Sequence, residues 1–508
     1  MKTLFILLLG AILGIAILPY LLFRQKEMPE GTDLKSPGFS FNRAKLLIDR
    51  TSWDAAAHAY IQTHEIFDSI LSEIRDAETF LIADFFLWNP WSGAIEGSGA
   101  LRPLANELAN ALIEKRIQNP DMPIVIITDP INRIYGDHAP EFYDRLADAG
   151  IPVVFTDLSR LPDSNKVFAP QASFWSHFFS ADDSEDAARP VPNPFNLNGE
   201  KLAMAQLGRL LHFKANHRKV LIAGHSNGAN RLILCSFNPA DGSANHSNIG
   251  AFVEGAVATY AARSELQIAE WSSATAGNVN GGLYLTAYRY IAEIRDLIAV
   301  PANEVVVADT GTVAWRSEEA IRDELIAQLD SARAHTQVDL AIFYFSDRLV
   351  TEALRSAIER GAQVRVLLDP NRDAFGRQKN GIPNRAVAAE LMKLAETHSI
   401  DVRWAATHGE QYHAKALRVI GPAQDSLFLG SANWTRRNIG NLNLEANLLF
   451  SNAEEVGAEF DAYFDSIWNN SLGFEESLPY EDWAENGWSL RWKTWLYRFQ
   501  EWSGASTF

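Results

Sequence analysis

The chain has 508 residues, a net charge of −18 and 47% hydrophobic residues, so it is long enough for two or three domains with large cores. The acidic balance weighs against a protein that binds long nucleic acids nonspecifically, because that affinity comes from neutralising phosphates. Cys235 is the only cysteine, which excludes an internal disulfide, and no Cys/His cluster has zinc spacing. The apolar residues before Cys235 predict a buried, unreactive thiol.

The first predicted element is an uncharged, apolar segment from Thr3 to Phe23. About 20 apolar residues are needed to cross a bilayer, so residues 1–26 are predicted to form an uncleaved, single-pass membrane anchor. A cleaved signal peptide and a buried core helix are the alternatives. Positive residues flank the segment at both ends, so charge does not define the side of the membrane. Residues 27–50 contain Pro and Gly and are predicted to be a tether.

After the tether the chain repeats one order of elements. A helical pattern leads into the buried-strand runs Thr79–Leu87 and Val338–Phe345, and a second strand in each half ends in Asp-Pro, at Asp129 and at Asp369. A third strand follows in each half, before a His-x-Lys triplet. Strands that alternate with helices predict an α/β fold with mostly parallel sheets, and the repetition predicts two similar lobes that share one active site. The predicted lobes are residues 51–296 and 297–475.

Two segments do not fit the repeat. Residues 161–200 are rich in Pro, Asp, Ser and Asn and interrupt the first lobe, which predicts either a lid over the substrate or a solvated surface insertion. Residues 476–508 form a C-terminal tail with five tryptophans among basic residues. This composition favours either a membrane interface or packing of the tail onto the catalytic body.

Each half carries the same chemistry after its third strand. The matching runs are His217-Arg218-Lys219 with Ser236-Phe237-Asn238, and His413-Ala414-Lys415 with Ser431-Ala432-Asn433. On a strand the His and Lys of a triplet are two residues apart, so both side chains lie on the same face. One neutral imidazole can attack phosphorus, a second, protonated imidazole can donate to the departing oxygen, and ammonium and amide groups can stabilise the charge. The pairing predicts exchange at a phosphodiester, with no metal and no cofactor.

These runs resemble the signature of the phospholipase D superfamily, which is His-x-Lys, an Asp five residues after the Lys, and Gly-Ser-x-Asn. The resemblance covers the chain from about Thr51 to Trp468, and residues 430–437 match best. It implies one active site between the halves, with His217 as the nucleophile that becomes phosphohistidine and His413 as the general acid and base. It also implies that the motif Lys and Asn residues contact phosphate. Ser236 and Ser431 are assigned to substrate binding.

The chain departs from this signature at several positions. The Asp position is Gly224 in the first half and Ile420 in the second. Because the missing Asp lies outside the His, Lys and Asn set that contacts phosphate, activity is expected to survive. His212-Phe213-Lys214 is a competing triplet, but only His217 leads directly into an apolar strand. His217 is therefore interpreted as the active residue.

Four further residues are predicted at the site. Glu254 and Glu445 lie among apolar residues downstream of the motifs and resemble the family carboxylates that orient the histidines; ordinary surface glutamates are the alternative. Arg372 and Arg385 follow a strand at the sheet edge where ligands bind in α/β folds. They are predicted either to meet a lipid headgroup or to belong to a structural loop.

The favoured function is a membrane-anchored phosphodiesterase that hydrolyses phospholipids or transfers their phosphatidyl group through a phosphohistidine. The expected partners are a phospholipid, water or an alcohol acceptor, and the membrane. Nucleic acid is not expected, and the presence of both halves in one chain predicts a monomer. The alternatives are a single-strand nucleic-acid phosphodiesterase or exonuclease of the same superfamily, which would need a basic groove with stacking aromatics, and a catalytically silent membrane scaffold.

Overall fold

The computed structural model describes residues 17–93, 101–134, 140–175, 188–194, 199–298, 311–374, 377–422 and 424–506. The predicted α/β fold is confirmed, since helices pack on two large sheets. Most of the predicted membrane anchor, residues 1–16, lies outside the described residues. Residues 17–22 are a short helical stretch. Within the described ranges, every helix is too short or too polar to cross a membrane.

The first lobe is built on one sheet. In chain order its strands are β1 Phe41–Asp49, β2 Thr51–Asp54, β3 Ala59–Gln62, β4 Phe80–Phe85, β5 Ile124–Thr128, β6 Val153–Phe155, β7 Lys219–Gly224, β8 Asn230–Cys235 and β9 Asn248–Gly255. Seven of them form the sheet in the order β1-β9-β8-β7-β4-β5-β6, and β2 pairs with β3 as a separate hairpin. β4, β5 and β7 are buried along their whole length, because helices cover the sheet.

The helices of the first lobe cover this sheet. They are α1 Glu65–Asp76, α2 Leu104–Gln118, α3 Phe142–Asp148, α4 Phe168–Trp175, α5 Met204–Leu211, α6 Ala256–Ser273 and α7 Tyr284–Leu297. In α1 the apolar residues Ile66, Ile70 and Ile74 recur every four residues and are buried. That spacing places them on one helix face, which packs onto the sheet.

The second lobe repeats this plan. Its strands are β10 Thr312–Ser317, β11 Gln337–Ile342, β12 Gln363–Leu368, β13 Asp373–Ala374, β14 Arg377–Gln378, β15 Ile400–Ala405, β16 Lys415–Gly421, β17 Gln424–Gly430, β18 Ala446–Ser451 and β19 Ser477–Pro479. Eight of them form the second sheet in the order β10-β18-β17-β16-β11-β12-β15-β19. Its helices are α8 Glu319–Ser331, α9 Arg348–Glu359, α10 Asn384–Leu391, α11 Arg436–Ile439, α12 Glu454–Trp468 and α13 Gly487–Ser503.

Both sheets are mixed, so the prediction of mostly parallel sheets is wrong. β4, β5 and β6 run parallel, as do β11, β12 and β15. The other neighbours are antiparallel. The parallel pairs are the ones joined through helices, whereas β7–β8 and β16–β17 are hairpins whose short turns allow only antiparallel pairing.

Two helices join the lobes. α6 packs against its own sheet and against β10 of the second sheet, and α12 packs against β17 and against β1 of the first sheet. One apolar cluster therefore contains Leu232 of the first sheet, Trp315 and Leu448 of the second, and Phe460 of α12. Burying each such side chain contributes about 1.5–3 kcal/mol. The lobes share a core rather than meeting at a polar surface.

The predicted tether over residues 27–50 is wrong. Residues 41–49 are β1, the edge strand of the first sheet, with Leu46 and Leu47 buried. Phe39 and Val313 exchange two backbone hydrogen bonds of 2.8 Å, which attach the preceding segment to β10. Pro and Gly residues do mark the turns before this strand, but the apolar residues 46–48 carry it into the sheet.

The other unassigned segments also pack on the body. β19 pairs with β15, and α13 buries Tyr497 in the core of the second lobe, so the inner face of the predicted tail packs onto the protein. In the 161–200 insertion, residues 176–187 and 195–198 lie outside the described residues. A lid over the substrate stays a prediction. The expected burial of Cys235 is confirmed, and burial raises the pKa of its thiol to about 12.

Candidate active site

The two His-x-Lys runs meet because each pairs with the opposite lobe. The N–H of His217 donates to the carbonyl of Leu444 at 2.9 Å, and the N–H of His413 donates to the carbonyl of Ser247 at 2.8 Å. Each contact is part of a short parallel bridge between the lobes. Ser247 and Leu444 lie just before β9 and β18, so each histidine is fixed beside the start of the other lobe's strand.

Each lysine is tied to the histidine of its own run. Lys219 begins β7 and Lys415 begins β16, and each Nζ donates to the backbone carbonyl of its histidine, at 2.6 and 2.7 Å. The lysines are fully buried, whereas His217 is 8% and His413 5% exposed. The same-face geometry expected of His-x-Lys on a strand is therefore present in both halves.

A phenylalanine lines each half of the site. Phe86, directly after β4, lies 4.7 Å from the ring of His217 and 5.2 Å from Nζ of Lys219. Phe343, directly after β11, lies 4.9 Å from the ring of His413, and Nζ of Lys415 lies 5.2 Å from its ring. These rings give the polar groups an apolar wall. They were not predicted; the sequence signal is their matching position after the first buried strand of each half.

Glu445, one of the two glutamates expected beside a histidine, contacts His217 across the interface. Nδ1 of His217 lies 2.7 Å from Oε1 of Glu445. An ionised carboxylate only accepts hydrogen bonds, so Nδ1 carries the proton and Nε2 is left for chemistry. Ser431 and Asn438 both donate to this carboxylate. Burial alone would raise the pKa of Glu445, but His217 and Lys219 outweigh burial and hold that pKa below its usual value.

In the first lobe an asparagine takes the place of that glutamate. Oδ1 of Asn248 lies 3.2 Å from Nδ1 of His413, while its Nδ2 donates to Asp49 at 3.3 Å. Asn248 begins β9, just as Glu445 immediately precedes β18. Since the amide nitrogen is engaged elsewhere, Oδ1 accepts from His413. The two histidines have the same tautomer, but only His217 has a charged partner.

Glu254, which was predicted to orient a histidine, does not. It lies at the other end of β9 from Asn248, about 20 Å along the strand. Its carboxylate pairs with Arg231 at 2.8 Å, and that contact lowers its pKa. The sequence pattern that indicated Glu254 was a carboxylate among apolar residues. The position beside His413 holds the amide of Asn248, which does not have that pattern.

The motif serines support these partners. Ser431 donates to Glu445, and Ser236 lies 3.4 Å from Oδ1 of Asn248. Each hydroxyl also accepts from a backbone N–H at 3.0 Å, at Ala446 and Ile249 respectively. These fully buried hydroxyls are used by the protein, so their prediction as substrate-binding groups is corrected to positioning groups.

The motif asparagines follow these serines by two residues at the same sheet edges. Oδ1 of Asn238 accepts from the N–H of Leu87 at 3.3 Å. The buried Oδ1 of Asn433 has no hydrogen-bond partner in the described part of the chain. A buried amide oxygen without a partner costs about 1–3 kcal/mol, so this oxygen of Asn433 is suited to a ligand group that donates a hydrogen bond to it.

Burial and mutual repulsion depress the pKa values of the basic groups. Burial lowers the pKa of His217 to about 4 although Glu445 opposes the shift, and it lowers that of Lys219 to about 8. For His413 and Lys415 burial and neighbouring cations hold the pKa well below its usual value. His246 lies 5.9 Å from the ring of His413, and burial lowers its pKa to about 3. A bound anion would reverse these shifts by attracting the charged forms.

Arg218 lies between His217 and Lys219 on the opposite face of the strand. It donates to Glu265 at 3.0 Å and to Glu318 of the second lobe at 2.7 Å, and all three side chains are fully buried. Oε1 of Glu318 also accepts from the N–H of Glu445 at 2.9 Å. Burial alone would lower the pKa of Arg218, but the two glutamates raise it. One ion pair thus connects the strand of His217 to the residue that orients it.

The two Asp-Pro dipeptides hold the backbone before each histidine. Asp129 accepts from the N–H of Asn216, and Asp369 accepts from the N–H of Tyr412, both at 2.8 Å. Burial raises the pKa of both aspartates to about 7. The sequence showed these dipeptides as part of the repeat but did not indicate this role.

The competing triplet at residues 212–214 has a structural role. Nδ1 of His212 lies 2.5 Å from Asp163, and Nζ of Lys214 lies 3.0 Å from the same carboxylate. The pair fixes the first residues of the 161–200 insertion. His217, rather than His212, faces the other lobe, as the apolar strand after it predicted.

Arg372 and Arg385 are placed against the C-terminal segment instead of at the histidines. Their guanidinium groups lie 5.4 and 4.4 Å from the ring of Trp483. Arg385 also donates to the carbonyl of Pro370 at 2.9 Å and lies 3.4 Å from Glu485. The structural-loop alternative describes Arg385, and in the part of the chain that the structure describes neither arginine contacts a His or Lys of the paired motifs.

The positions of the missing signature Asp lie far from the lysines. Gly224 ends β7, five residues after Lys219 and about 16 Å along the strand. Ile420 has the same spacing from Lys415 in β16. A carboxylate at either position would therefore lie away from the histidines, and the survival of activity stays a prediction.

Comparisons with known proteins find one family model and several similar structures. Residues 325–468 match the family model described as "Cardiolipin synthase, PLD-like domain". Phosphatidylserine synthase from Haemophilus influenzae Rd KW20 superimposes with a TM-score of 0.53 and 10% identity, over 93% of this chain and 96% of that chain. Nuc, a phospholipase D family member from Salmonella typhimurium, gives a TM-score of 0.25 and 18% identity over 31% of this chain and 95% of its own. No curated protein matches this sequence.

The resemblance to the phospholipase D superfamily is confirmed. The family model covers the second triplet, Glu445 and their surrounding elements. The superposition over nearly the whole chain shows that both lobes share the fold of the synthase structure.

Glu445→Gln is expected to lower turnover of a chromogenic phosphodiester about 10–100-fold, because the charge that orients His217 is lost. Glu254→Gln is the matched control, because it replaces the same residue type by the same amide at a position outside the site. This variant is expected to retain wild-type turnover. Steady-state kinetics measures both. Equal losses in the two variants would contradict the assignment.

Asn248→Asp is expected to raise the pKa of His413 by about 1 unit or more, because a carboxylate favours the imidazolium. The alkaline limb of the pH–rate profile, where the acid form of His413 is lost, should move to higher pH. Burial raises the pKa of the neighbouring Asp49 to about 8, so its protonated carboxyl can donate to the new carboxylate. Asn248→Ala, the control, should lower turnover without an upward shift; an unmoved limb in Asn248→Asp would refute the role.

Gly224→Asp, which restores the signature residue, is expected to destabilise the protein by about 1–3 kcal/mol by overpacking. Any side chain there would collide with Phe80 and Thr79. Guanidinium unfolding measures the loss. Ile420→Asp, at the equivalent but half-buried position, should cost less. An unchanged unfolding midpoint for Gly224→Asp would show that β7 adapts to the side chain.

Proposed function

We propose that the protein is a phospholipase D-like phosphodiesterase that hydrolyses phospholipids or transfers their phosphatidyl group through a phosphohistidine on His217. The observation that carries this proposal is the pair of buried imidazoles from different lobes, each with its Nδ1 held by the opposite lobe. Such an arrangement leaves two Nε2 atoms for one phosphate. The two buried lysines supply positive charge at the same place.

In the first step Nε2 of His217 attacks phosphorus, and the bond from phosphorus to the headgroup oxygen breaks. His413, as imidazolium, donates its proton to that oxygen, so the headgroup leaves as an alcohol. Lys219 and Lys415 stabilise the charge on the non-bridging oxygens, together with the amides of Asn238 and Asn433. The product is a phosphatidyl group on His217.

In the second step the order reverses. Neutral His413 takes a proton from water or from an acceptor alcohol, whose oxygen attacks phosphorus. The bond to Nε2 of His217 breaks, and phosphatidic acid or a new phosphodiester is released. His413 donates a proton in the first step and regains one in the second. The cycle therefore needs no reactant besides water or the acceptor alcohol.

The unequal partners support this division of roles. A phosphorylated imidazole carries positive charge, and the ionised Glu445 stabilises that charge on His217. His413 has the neutral Asn248, which orients the ring without fixing its charge. His413 must alternate between acid and base, so a neutral partner fits its role. A negatively charged phosphodiester would raise its depressed pKa toward the working range.

Phospholipid is the favoured substrate class. The net charge of −18 disfavours a polyanion as long as nucleic acid, and the apolar segment at residues 3–23 favours a location at lipid. The family model and the superimposed synthase both concern enzymes named for phospholipids. The membrane anchor over residues 1–26 is part of this proposal.

Full-length protein in mixed phospholipid vesicles with a primary alcohol is expected to form phosphatidyl-alcohol. His217→Ala and His413→Ala should each lower the rate about 10³-fold or more, because the residues act as one unit. His212→Ala is the matched control, as it removes an imidazole held at Asp163 outside the site. Lipid products are measured by mass spectrometry.

A labelled single-stranded oligonucleotide is tested in parallel. Cleavage of the oligonucleotide without lipid turnover would assign the protein to a nuclease function. Inactivity of the wild type on both substrates would favour the scaffold alternative. Retained lipid turnover in His217→Ala would refute the phosphohistidine mechanism.

A further inference from the structure

The outer face of α13 carries an unusual row of aromatic side chains. Trp488, Trp492, Trp495, Phe499 and Trp502 are spaced four, three, four and three residues apart, so they lie on one side of the helix. Their exposed fractions are 79%, 50%, 55%, 42% and 61%. We call this row the aromatic stripe. Consecutive rings from Trp492 to Trp502 lie 5.1, 5.6 and 5.9 Å apart.

This pattern reverses the usual polarity of a surface helix. The inner face of α13 buries Tyr497 and Glu501, and Glu501 accepts from Ser346 at 2.6 Å. The outer face, which would be polar in a helix exposed only to water, holds the largest apolar residues. Contiguous exposed apolar patches of this kind mark an interaction surface.

The chain's own apolar segment leads to one end of the aromatic stripe. Tyr20 donates to the carbonyl of Val167 at 2.9 Å, and Gln25 donates to the carbonyl of Asp163 at 2.7 Å. One residue before Val167, the N–H of Lys166 donates to the carbonyl of Ser503, the last residue of α13, at 2.7 Å. Residues 20–25, where the apolar segment ends, therefore lie beside the C-terminal end of the stripe.

Positive charge borders the aromatic stripe. A groove of about 1120 Å³ runs between α9, α10 and α13. Its charged lining residues are Arg355, Lys393, Arg491 and Arg498, with Glu390 as the acid among them. Arg355 is paired with Glu359 and Arg498 with Glu390, so the positive charge of the groove comes from Lys393 and Arg491, on a chain with a net charge of −18. Basic residues beside exposed tryptophans are the composition of helices that lie in the headgroup region of anionic membranes.

We propose that the aromatic stripe is a second membrane contact, with α13 lying in the headgroup region of a bilayer that contains anionic phospholipid. Tryptophan favours this region because its ring is amphipathic. The end of the apolar segment, at residues 20–25, lies beside this face, which favours the bilayer rather than a second protein as its neighbour. This contact depends on the shape and charge of α13 and is independent of the reaction at the histidines.

The contact would also set the direction of the active site. Glu501, on the inner face of α13, accepts from the N–H of Arg436 at 3.0 Å. Arg436 lies three residues after the motif asparagine Asn433. A bilayer against the aromatic stripe would therefore lie next to the loop that carries half of the site.

The test places a fluorophore on the stripe of the full-length protein in vesicles of zwitterionic and anionic phospholipid. Trp492→Cys is labelled with an environment-sensitive dye, and buried Cys235 does not compete for it under native conditions. Ile117→Cys is the matched control, because Ile117 is an apolar residue on α2 of the first lobe that is 71% exposed. Both proteins carry the same N-terminal segment.

Lipids brominated on their acyl chains are expected to quench the dye at residue 492 and to leave the dye at residue 117 unaffected. Replacing the anionic lipid with zwitterionic lipid should reduce quenching at residue 492. Arg491→Gln should lower the docking equilibrium about fivefold, since one basic residue near an anionic surface contributes about 1 kcal/mol. Equal quenching at residues 492 and 117, or a dye at 492 in an apolar environment that bromine does not reach, would overturn the proposal. The first result would show that the stripe has no preference for lipid over the rest of the surface, and the second would point to protein as the occupant.

Discussion

The site depends on one constraint, which is that each lobe holds the histidine of the other lobe in place. The backbone of each histidine pairs with the opposite lobe. The buried ion pair between Arg218 and Glu318 crosses the same interface on the other face of the strand. A buried charge without its partner costs about 3–5 kcal/mol, so this ion pair tolerates little separation of the lobes. Glu318 also holds the N–H of Glu445, which places the carboxylate beside His217. Packing of the lobes and orientation of the catalytic groups are therefore one arrangement.

The duplicated scaffold is symmetric in its backbone and asymmetric in its charges. Asp129 and Asp369, Ser236 and Ser431, and Phe86 and Phe343 occupy matching positions with matching contacts. The lobes differ in charged residues. Asn248 of the first lobe occupies the position equivalent to Glu445 of the second, and Ala414 of the second lobe the position equivalent to Arg218 of the first. A symmetric framework can thus give two chemically identical imidazoles different tasks.

Much of the fold and the central histidines followed from the sequence because period and spacing are local properties. Buried strand runs, the Asp-Pro ends and the His-x-Lys triplets are each visible within a few residues. The mixed sheets were missed because strand runs alone do not define strand direction. A hairpin and a helical crossover differ only in the segment that connects the two strands. Asn248 was missed because its role comes from register across the interface, and an amide gives no charge signal. The roles of Ser236, Ser431 and Arg385 could not be predicted for a similar reason, since their hydrogen-bond partners lie elsewhere in the sequence.

Reciprocal support has a consequence for the order in which the protein is made. The first lobe, with His217, emerges from the ribosome well before Glu445 is synthesised. Until then its imidazole has no carboxylate, its strand lacks the pairing with Leu444, and Arg218 lacks Glu318. A partly synthesised chain therefore contains a complete first motif without the residues that hold His217 in place. The paired arrangement forms only when the second lobe has folded onto the first, so the site is assembled last, after both lobes have been synthesised.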